Sequence, residues 1–231
     1  MKPVYTWLLF DADHTILDFD AAEAHALKAV CTELAGEFRS EWVEAYHRIN
    51  KGLWALLEKG KISSAELRVK RFADFQAEIG IEGDSAVFST RYLHHLQEGN
   101  YVIPGARELM ESLAPDFRMA VITNGIRDTQ KRRFEVTGLG SFFEHIIISE
   151  DAGVPKPHTG FFDYALERMG DDRRETMLVI GDSLSSDIKG ANNAGIPCCW
   201  YNPQGKEAGD LAAPDFVISE LSDLEGIVYR D

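Results

Sequence analysis

Two carboxylates one residue apart, Asp11 and Asp13, follow the apolar run Leu8-Leu9-Phe10 and precede the hydroxyl of Thr15. At the end of a strand the chain can turn, so both acids can converge on one spot, with the backbone carbonyl between them as a further oxygen. Clustered carboxylates repel, and one takes up a proton unless a cation sits between them. An oxygen-only set suits a hard ion such as Mg²⁺. An Asx-rich turn after a strand accounts for the same residues, so the weight of the pair depends on the rest of the chain.

The rest supplies Thr123-Asn124-Gly125, Lys156 in Val154-Pro155-Lys156-Pro157, and Gly181-Asp182-Ser183 with Asp187 five residues after Asp182. Each has a plain reading: a turn, a loop lysine, a helix cap, a surface acid. Together they are the parts phosphoryl transfer needs. A carboxylate can attack phosphorus, and water then hydrolyses the aspartyl-phosphate. A second carboxyl can protonate the leaving oxygen and later activate water. A divalent cation neutralises the approach of one anion to another. Lysine adds a compact charge, and hydroxyl and backbone N–H groups hold the remaining oxygens.

These groups must be positioned by the elements that precede them. Apolar runs at 5–11, 118–123, 144–149, 177–180, 197–201 and 216–219 read as strands, separated by helical segments at 105–113, 128–136, 160–169 and 185–194. Strands apolar throughout and alternating with helices indicate a parallel sheet covered on both faces. In such sheets ligands bind at the carboxyl ends of the strands, where every one of the candidate residues falls. Between about 20 and 98 the pattern is helical only: 21–34, 40–58 with its Trp42, Tyr46, Ile49, Leu53 and Leu57 stripe, and 63–80 opened by the Ser63/Glu66 capping box. A further helix is capped by Asp84. The expected fold is therefore α/β: a doubly wound parallel sheet formed by 1–17 and 99–231, interrupted by a helical insertion at 18–98. Lys131-Arg132-Arg133 reads as a solvated helix face.

The net charge of the 231-residue chain is −14, which argues against nucleic-acid polymers and anionic membranes as partners. It leaves room for a small anionic substrate, because a local cation and backbone N–H groups can dominate a pocket. No apolar run reaches membrane-spanning length, and the amino end lacks the form of a signal peptide. Cys31, Cys198 and Cys199 make a poor disulfide framework, so a cytoplasmic setting is expected, with the adjacent pair packed as small apolar residues in a strand.

In these motifs the chain resembles the haloacid dehalogenase superfamily of phosphatases. Asp11-Ala12-Asp13-His14-Thr15 is similar to its first motif, Thr123 to its second, Lys156 to its third, and the segment from Gly181 to Asp187 to its fourth. The resemblance implies Asp11 as nucleophile and Asp13 as general acid and base. It implies Thr123, Asn124 and Lys156 at the phosphoryl group, and Mg²⁺ held by Asp11, Asp182 and the Asp13 carbonyl with support from Asp187. The insertion resembles a C1 cap, the lid that selects substrates. Within the superfamily, Phe10 to Thr15, Asn50-Lys51-Gly52-Leu53-Trp54 and Ile148-Ser149-Glu150 are similar to pyrimidine 5′-nucleotidases acting on noncanonical nucleotides. That likeness implies a nucleoside monophosphate as substrate, with His14, Lys51 and Trp54 as candidate contacts. His14 departs from the glycine usual at its position.

Alternatives share parts of this chemistry. A sugar-phosphate phosphatase or phosphomutase differs only in what the cap reads. A 2-haloacid dehalogenase needs no second acid, so Asp13 argues against it. A phospho-receiver module carries its Asp in the middle of a chain about half this length, and a binding protein without catalysis has no reason to keep every motif position.

Overall fold

The computed structural model describes residues 2–230. In chain order it contains β1 (Lys2–Pro3), β2 (Trp7–Phe10), and four helices, α1 (Phe19–Ala35), α2 (Trp42–Glu58), α3 (Ser64–Ile79) and α4 (Ser85–Gln97). There follow α5 (Ala106–Leu113), β3 (Arg118–Thr123), α6 (Arg127–Thr137), β4 (His145–Ile148), α7 (Ser149–Ala152) and α8 (Thr159–Met169). The last part holds β5 (Met177–Gly181), a π-helical turn (Leu184–Ile188), α9 (Lys189–Ala194), β6 (Cys198–Tyr201), β7 (Phe216–Ile218), α10 (Glu225–Val228) and β8 (Tyr229–Arg230). No described helix is long and apolar enough to cross a membrane.

The chain divides into two compact units. The first comprises residues up to Asp18, Tyr101–Arg127, and those from Thr137 onward; the second comprises Phe19–Asn100 and Asp128–Val136.

The first unit is built on a six-stranded sheet of order β4-β3-β2-β5-β6-β7, in which every neighbouring pair is parallel. The α/β class expected from the apolar runs is thus the observed one. Every residue of β2 and of β5 is buried, as a central strand with helices on both faces requires. One face shows the alternation directly: Trp7 and Leu9, Ala120 and Ile122, Met177 and Val179, Cys198 and Trp200 pack in one cluster with Phe161, Phe162, Ala165 and Ala191. Phe161 and Phe162 are fully buried, and each stabilises the unit by roughly 1.5–3 kcal/mol. All three cysteines are buried and free, Cys198 and Cys199 inside β6. From β2 the chain builds β3 and β4 to one side, then crosses back to add β5, β6 and β7 on the other. The reversal opens a crevice at the carboxyl end of β2, where such sheets bind ligands.

The second unit is a helical bundle in which α1 packs on α4, α2 on α3, and α3 on α4. Its centre is aromatic: Tyr46 lies 5.5 Å from Phe75 and Phe72 5.0 Å from Tyr92, centroid to centroid. Such pairs contribute about 0.5–1.5 kcal/mol beyond their burial. Ser63 and Glu66 form the reciprocal capping box of α3, Asp84 accepts from Ala86 and Val87 at the start of α4, and Gly80 ends α3 at φ 73°. The segment Asp128–Val136 groups with these helices. Lys131 and Arg132 are exposed, but Arg133 is buried with its guanidinium 5.6 Å above the Phe19 ring, and Gln130 and Phe134 are buried beside it. Lys131-Arg132-Arg133 is therefore not a wholly solvated face. An arginine stem and plane pack on an aromatic ring as readily as they face water, and periodicity does not register that choice.

Candidate active site

The ladder between β2 and β5 runs one residue past β2, because the Asp11 N–H donates to Ile180 O at 2.8 Å. That bond fixes Asp11 at the carboxyl end of the central strand. The chain then turns tightly. Ala12 O accepts from Ile16 and Leu17, and His14 N–H donates to Leu17 O. The turn needs a left-handed residue, and His14 supplies it at φ 62°, the one non-glycine residue at positive φ among those described. A side chain there costs about 1–2 kcal/mol relative to glycine. Asp13 sits in this turn, half-buried, and bridges to Leu17; His14 is exposed.

Lys156 is 1% exposed, although it lies between two prolines in a loop. Its ammonium donates to Asp11 Oδ1 at 2.6 Å, to Asp187 Oδ1 at 2.6 Å and to Ile122 O at 2.7 Å. Those three bonds use every proton an ammonium has. The Lys156 backbone is held by Asn124, whose Oδ1 accepts from Lys156 N at 2.8 Å while its Nδ2 donates to Lys156 O at 3.0 Å. Both ends of the Asn124 amide thus grip the lysine peptide. Thr123 is buried at the end of β3, and its Oγ1 accepts from Gly125 N at 3.0 Å.

Asp187 is fully buried, not a surface acid of a helical turn. It lies in the π-helical turn, a form that sequence periodicity does not distinguish from the start of an α-helix and that recurs at functional sites. Its Oδ2 accepts from Ser183 N at 3.0 Å. It packs so closely on Gly181 that a Cβ there would stand 2.4 Å from Asp187 Oδ2, so only glycine fits. Asp182 follows Gly181, and its carbonyl accepts from Trp200 Nε1 at 2.8 Å.

Asp11, Asp182 and Asp187 each offer a carboxylate oxygen, and these oxygens lie within 4.8 Å of one another. Two buried acids, Asp11 and Asp187, and the half-buried Asp182 share one ammonium. Burial, and then the Asp187 charge, push the Asp11 carboxyl well above the usual carboxylate range, with Lys156 acting against them. Burial and Asp187 likewise push Asp182 up to about 7. Uncompensated negative charge, oxygen-only donors and this spacing fit a hard divalent cation. The Asp13 carboxylate is not one of the three.

A stability prediction follows for metal-depleted protein. Raised folded-state values mean that the folded chain holds protons the unfolded chain has already released. That contribution is complete below the ordinary carboxylate range and is lost as pH rises, for Asp182 through about 7. Added Mg²⁺ should therefore raise the unfolding free energy more at pH 8 than at pH 6. Equal gains in urea denaturation at the two pH values would place the metal elsewhere.

The residues expected in the helical unit are less drawn together. Lys51 is exposed on α2. Trp42, Tyr46, Phe72, Phe75 and Tyr92 are buried as bundle core, whereas Trp54 is half-buried. Asn50, from the same segment, is buried, and its Nδ2 donates to Glu23 Oε1 at 2.9 Å. One residue that sequence reasoning passed over belongs to the first unit's site: Trp200, a strand residue whose indole reaches the Asp182 loop.

Three kinds of likeness bear on this geometry. The family described as haloacid dehalogenase-like hydrolase matches residues 8–201. The crystal structure of the HAD-hydrolase YfnB from Bacillus subtilis, bound to magnesium, matches with a TM-score of 0.92 at 39% identity, covering 98% of this chain and 99% of that one. The pyrimidine 5′-nucleotidase YjjG of Escherichia coli is 33% identical over 226 residues, 98% of this chain and 99% of its own length. The pyrimidine 5′-nucleotidase PynA of Streptococcus pneumoniae is 38% identical over 221 residues, 95% and 93% of the two lengths.

Proposed function

From the premise that this chain belongs to the haloacid dehalogenase-like hydrolase family, we propose that it is a Mg²⁺-dependent phosphatase of pyrimidine nucleoside 5′-monophosphates. The observation that carries the phosphatase reading is the Lys156 ammonium, 2.6 Å from Asp11 Oδ1 in a buried site that also gathers Asp182 and Asp187. An isolated buried carboxylate would protonate; this one has an ammonium partner that favours the anion a nucleophile must be.

In this reading an Asp11 oxygen attacks phosphorus and the ester P–O bond breaks. Asp13 gives its proton to the leaving oxygen as the aspartyl-phosphate forms. Asp13 then takes a proton from water as that water attacks phosphorus, which releases phosphate and restores Asp11. The Thr123 hydroxyl and the N–H groups of the loop after β3 hold phosphoryl oxygens. Asp11, Asp182 and the Asp13 carbonyl would hold Mg²⁺ with Asp187 in support, and the ion would supply charge neutralisation between nucleophile and phosphate.

The near full-length likeness to two pyrimidine 5′-nucleotidases supports the choice of substrate. We assign substrate selection to residues 18–98 as a cap, with 1–17 and 99–231 as the catalytic core. Within the cap, Trp54 is the aromatic residue of the nucleotidase-like segment that the bundle leaves half-buried, and Lys51 is an exposed polar partner for a base; His14 is exposed in the core. The partner is a small phosphorylated metabolite, and the free cysteines support a reducing, cytoplasmic setting.

The test is kcat/KM for dUMP, dTMP and UMP against a panel of sugar phosphates, with phosphate release as readout. Nucleotides should lead. Trp54→Ala should lose about tenfold on nucleotides, as expected for one lost base-stacking contact, and keep its rate on an aryl phosphate. A wild-type preference for sugar phosphates would overturn the nucleotidase assignment and leave the phosphatase standing. Equal losses on both substrates would make Trp54 a packing residue.

A further inference from the structure

The three bonds of Lys156 leave a gap in the site. Each proton of its ammonium is already held by Asp11, Asp187 or the Ile122 carbonyl. A phosphoryl dianion arriving beside three carboxylates therefore finds no free N–H on this lysine. Beside the Mg²⁺ the acids would hold, a further protein cation with free N–H groups at the carboxyl edge of the sheet would complement that dianion.

One is built there. β6 pairs with β5, the strand that Asp182 directly follows, and the loop leaving β6 carries Lys206. Asn202 is buried at the start of that loop. Its Oδ1 accepts from Lys206 N at 3.0 Å and its Nδ2 donates to Lys206 O at 2.9 Å. This is the same two-bond grip by which Asn124 holds Lys156. Gly205, at φ 62°, makes the turn between them. Asn192 grips Ala213 in the same way, so the loop is pinned at a second point. A grip of this kind is thus a general means of ordering a loop. What sets Lys206 apart is its cation and its place. The side chain is exposed, and among the described residues its ammonium has no hydrogen-bond or ion-pair partner. Its charge is felt at Asp182, where it acts against the rise in that acid's pKa. An ordered backbone with an unengaged ammonium is an arrangement suited to an anion that comes and goes.

We propose that Lys206, held by the Asn202 grip, is a second phosphate-binding lysine that engages the phosphoryl group of the substrate. The inference rests on the phosphatase reading of the site. It assigns Lys156 to keeping Asp11 and Asp187 in place, and Lys206 to drawing in and holding the dianion.

The experiment is calorimetric titration of the Mg²⁺-loaded protein with inorganic phosphate, alongside KM and kcat on an aryl phosphate. Lys206→Met should weaken phosphate binding about tenfold, the loss of one charge-assisted hydrogen bond. KM should rise by a similar factor, with a smaller fall in kcat. Lys206→Arg should recover most of the affinity. The dependence of Kd on salt should be shallower in Lys206→Met than in wild type, which a merely structural residue would not cause. Asn202→Ala keeps the charge but frees the loop, and should weaken phosphate binding in the same direction. Unchanged phosphate affinity in Lys206→Met, with a wild type that does bind phosphate, overturns the inference alone. A wild type that binds no phosphate and hydrolyses no phosphate ester overturns the reading beneath it as well.

Discussion

Asp11→Asn is expected to reduce phosphatase turnover by more than about a thousandfold while leaving the protein folded. The amide cannot attack phosphorus, and it brings no negative charge to a bound cation. The fold should survive for a reason visible in the geometry. Asp11 is one of three clustered acids sharing one ammonium, so making it neutral removes repulsion with Asp187. Lys156 keeps its bonds to Asp187 and to Ile122 O, and the Asp11 N–H keeps its bond to Ile180 O. Two measurements check this: single-turnover rates on an aryl phosphate and urea denaturation without metal. Near-wild-type turnover would sink the covalent mechanism. A variant that fails to fold would show that the Asp11–Lys156 bond outweighs the repulsion it relieves.

Lys156→Met should have the opposite balance, with activity and stability lost together. The thioether fills much of the same space, but the ammonium that joins the ends of β2 and β3 to the Asp187 turn is gone. Three carboxylates are left without their cation, and breaking a buried pair by removing one partner costs about 3–5 kcal/mol. Turnover should fall by at least about a thousandfold, because the nucleophile would hold a proton. The sign of the pH effect follows. Without Lys156 the acids are more easily protonated, so the stability deficit should be largest at pH 8 and shrink on acidification, as the cluster neutralises itself. Mg²⁺ should restore part of the stability at pH 8 and little of the activity. Denaturation midpoints equal to those of wild type at pH 8 without metal would mean that the ammonium does not hold the cluster together.

The α/β class and the acids that gather at the end of β2 were legible from residue order. Apolar runs such as Met177 to Ile180 read as buried strands because they are too short for a helix and alternate with helical segments that cover both faces. The Ser63/Glu66 capping box and the Asp84 cap were legible for a similar reason: they are bonds between near neighbours, written in spacing alone. Position along the chain also placed Asp11, Thr123 and Asp182 at carboxyl ends of strands. What these residues do to one another depends on contacts between distant parts of the chain. The Lys156–Asp11 bond joins residues 145 apart in the chain, and no local pattern encodes it. Nor does any pattern show that Lys156 exhausts its protons, that Asn124 grips its peptide, or that Asp187 is buried against a glycine that must be one. Arg133 makes the same point in the helical unit, a charged residue whose burial on Phe19 depends on a ring more than a hundred residues away. Periodicity reports which face of an element is apolar. Which charged group that face or loop meets is settled by packing, where desolvation and partner geometry set the energy.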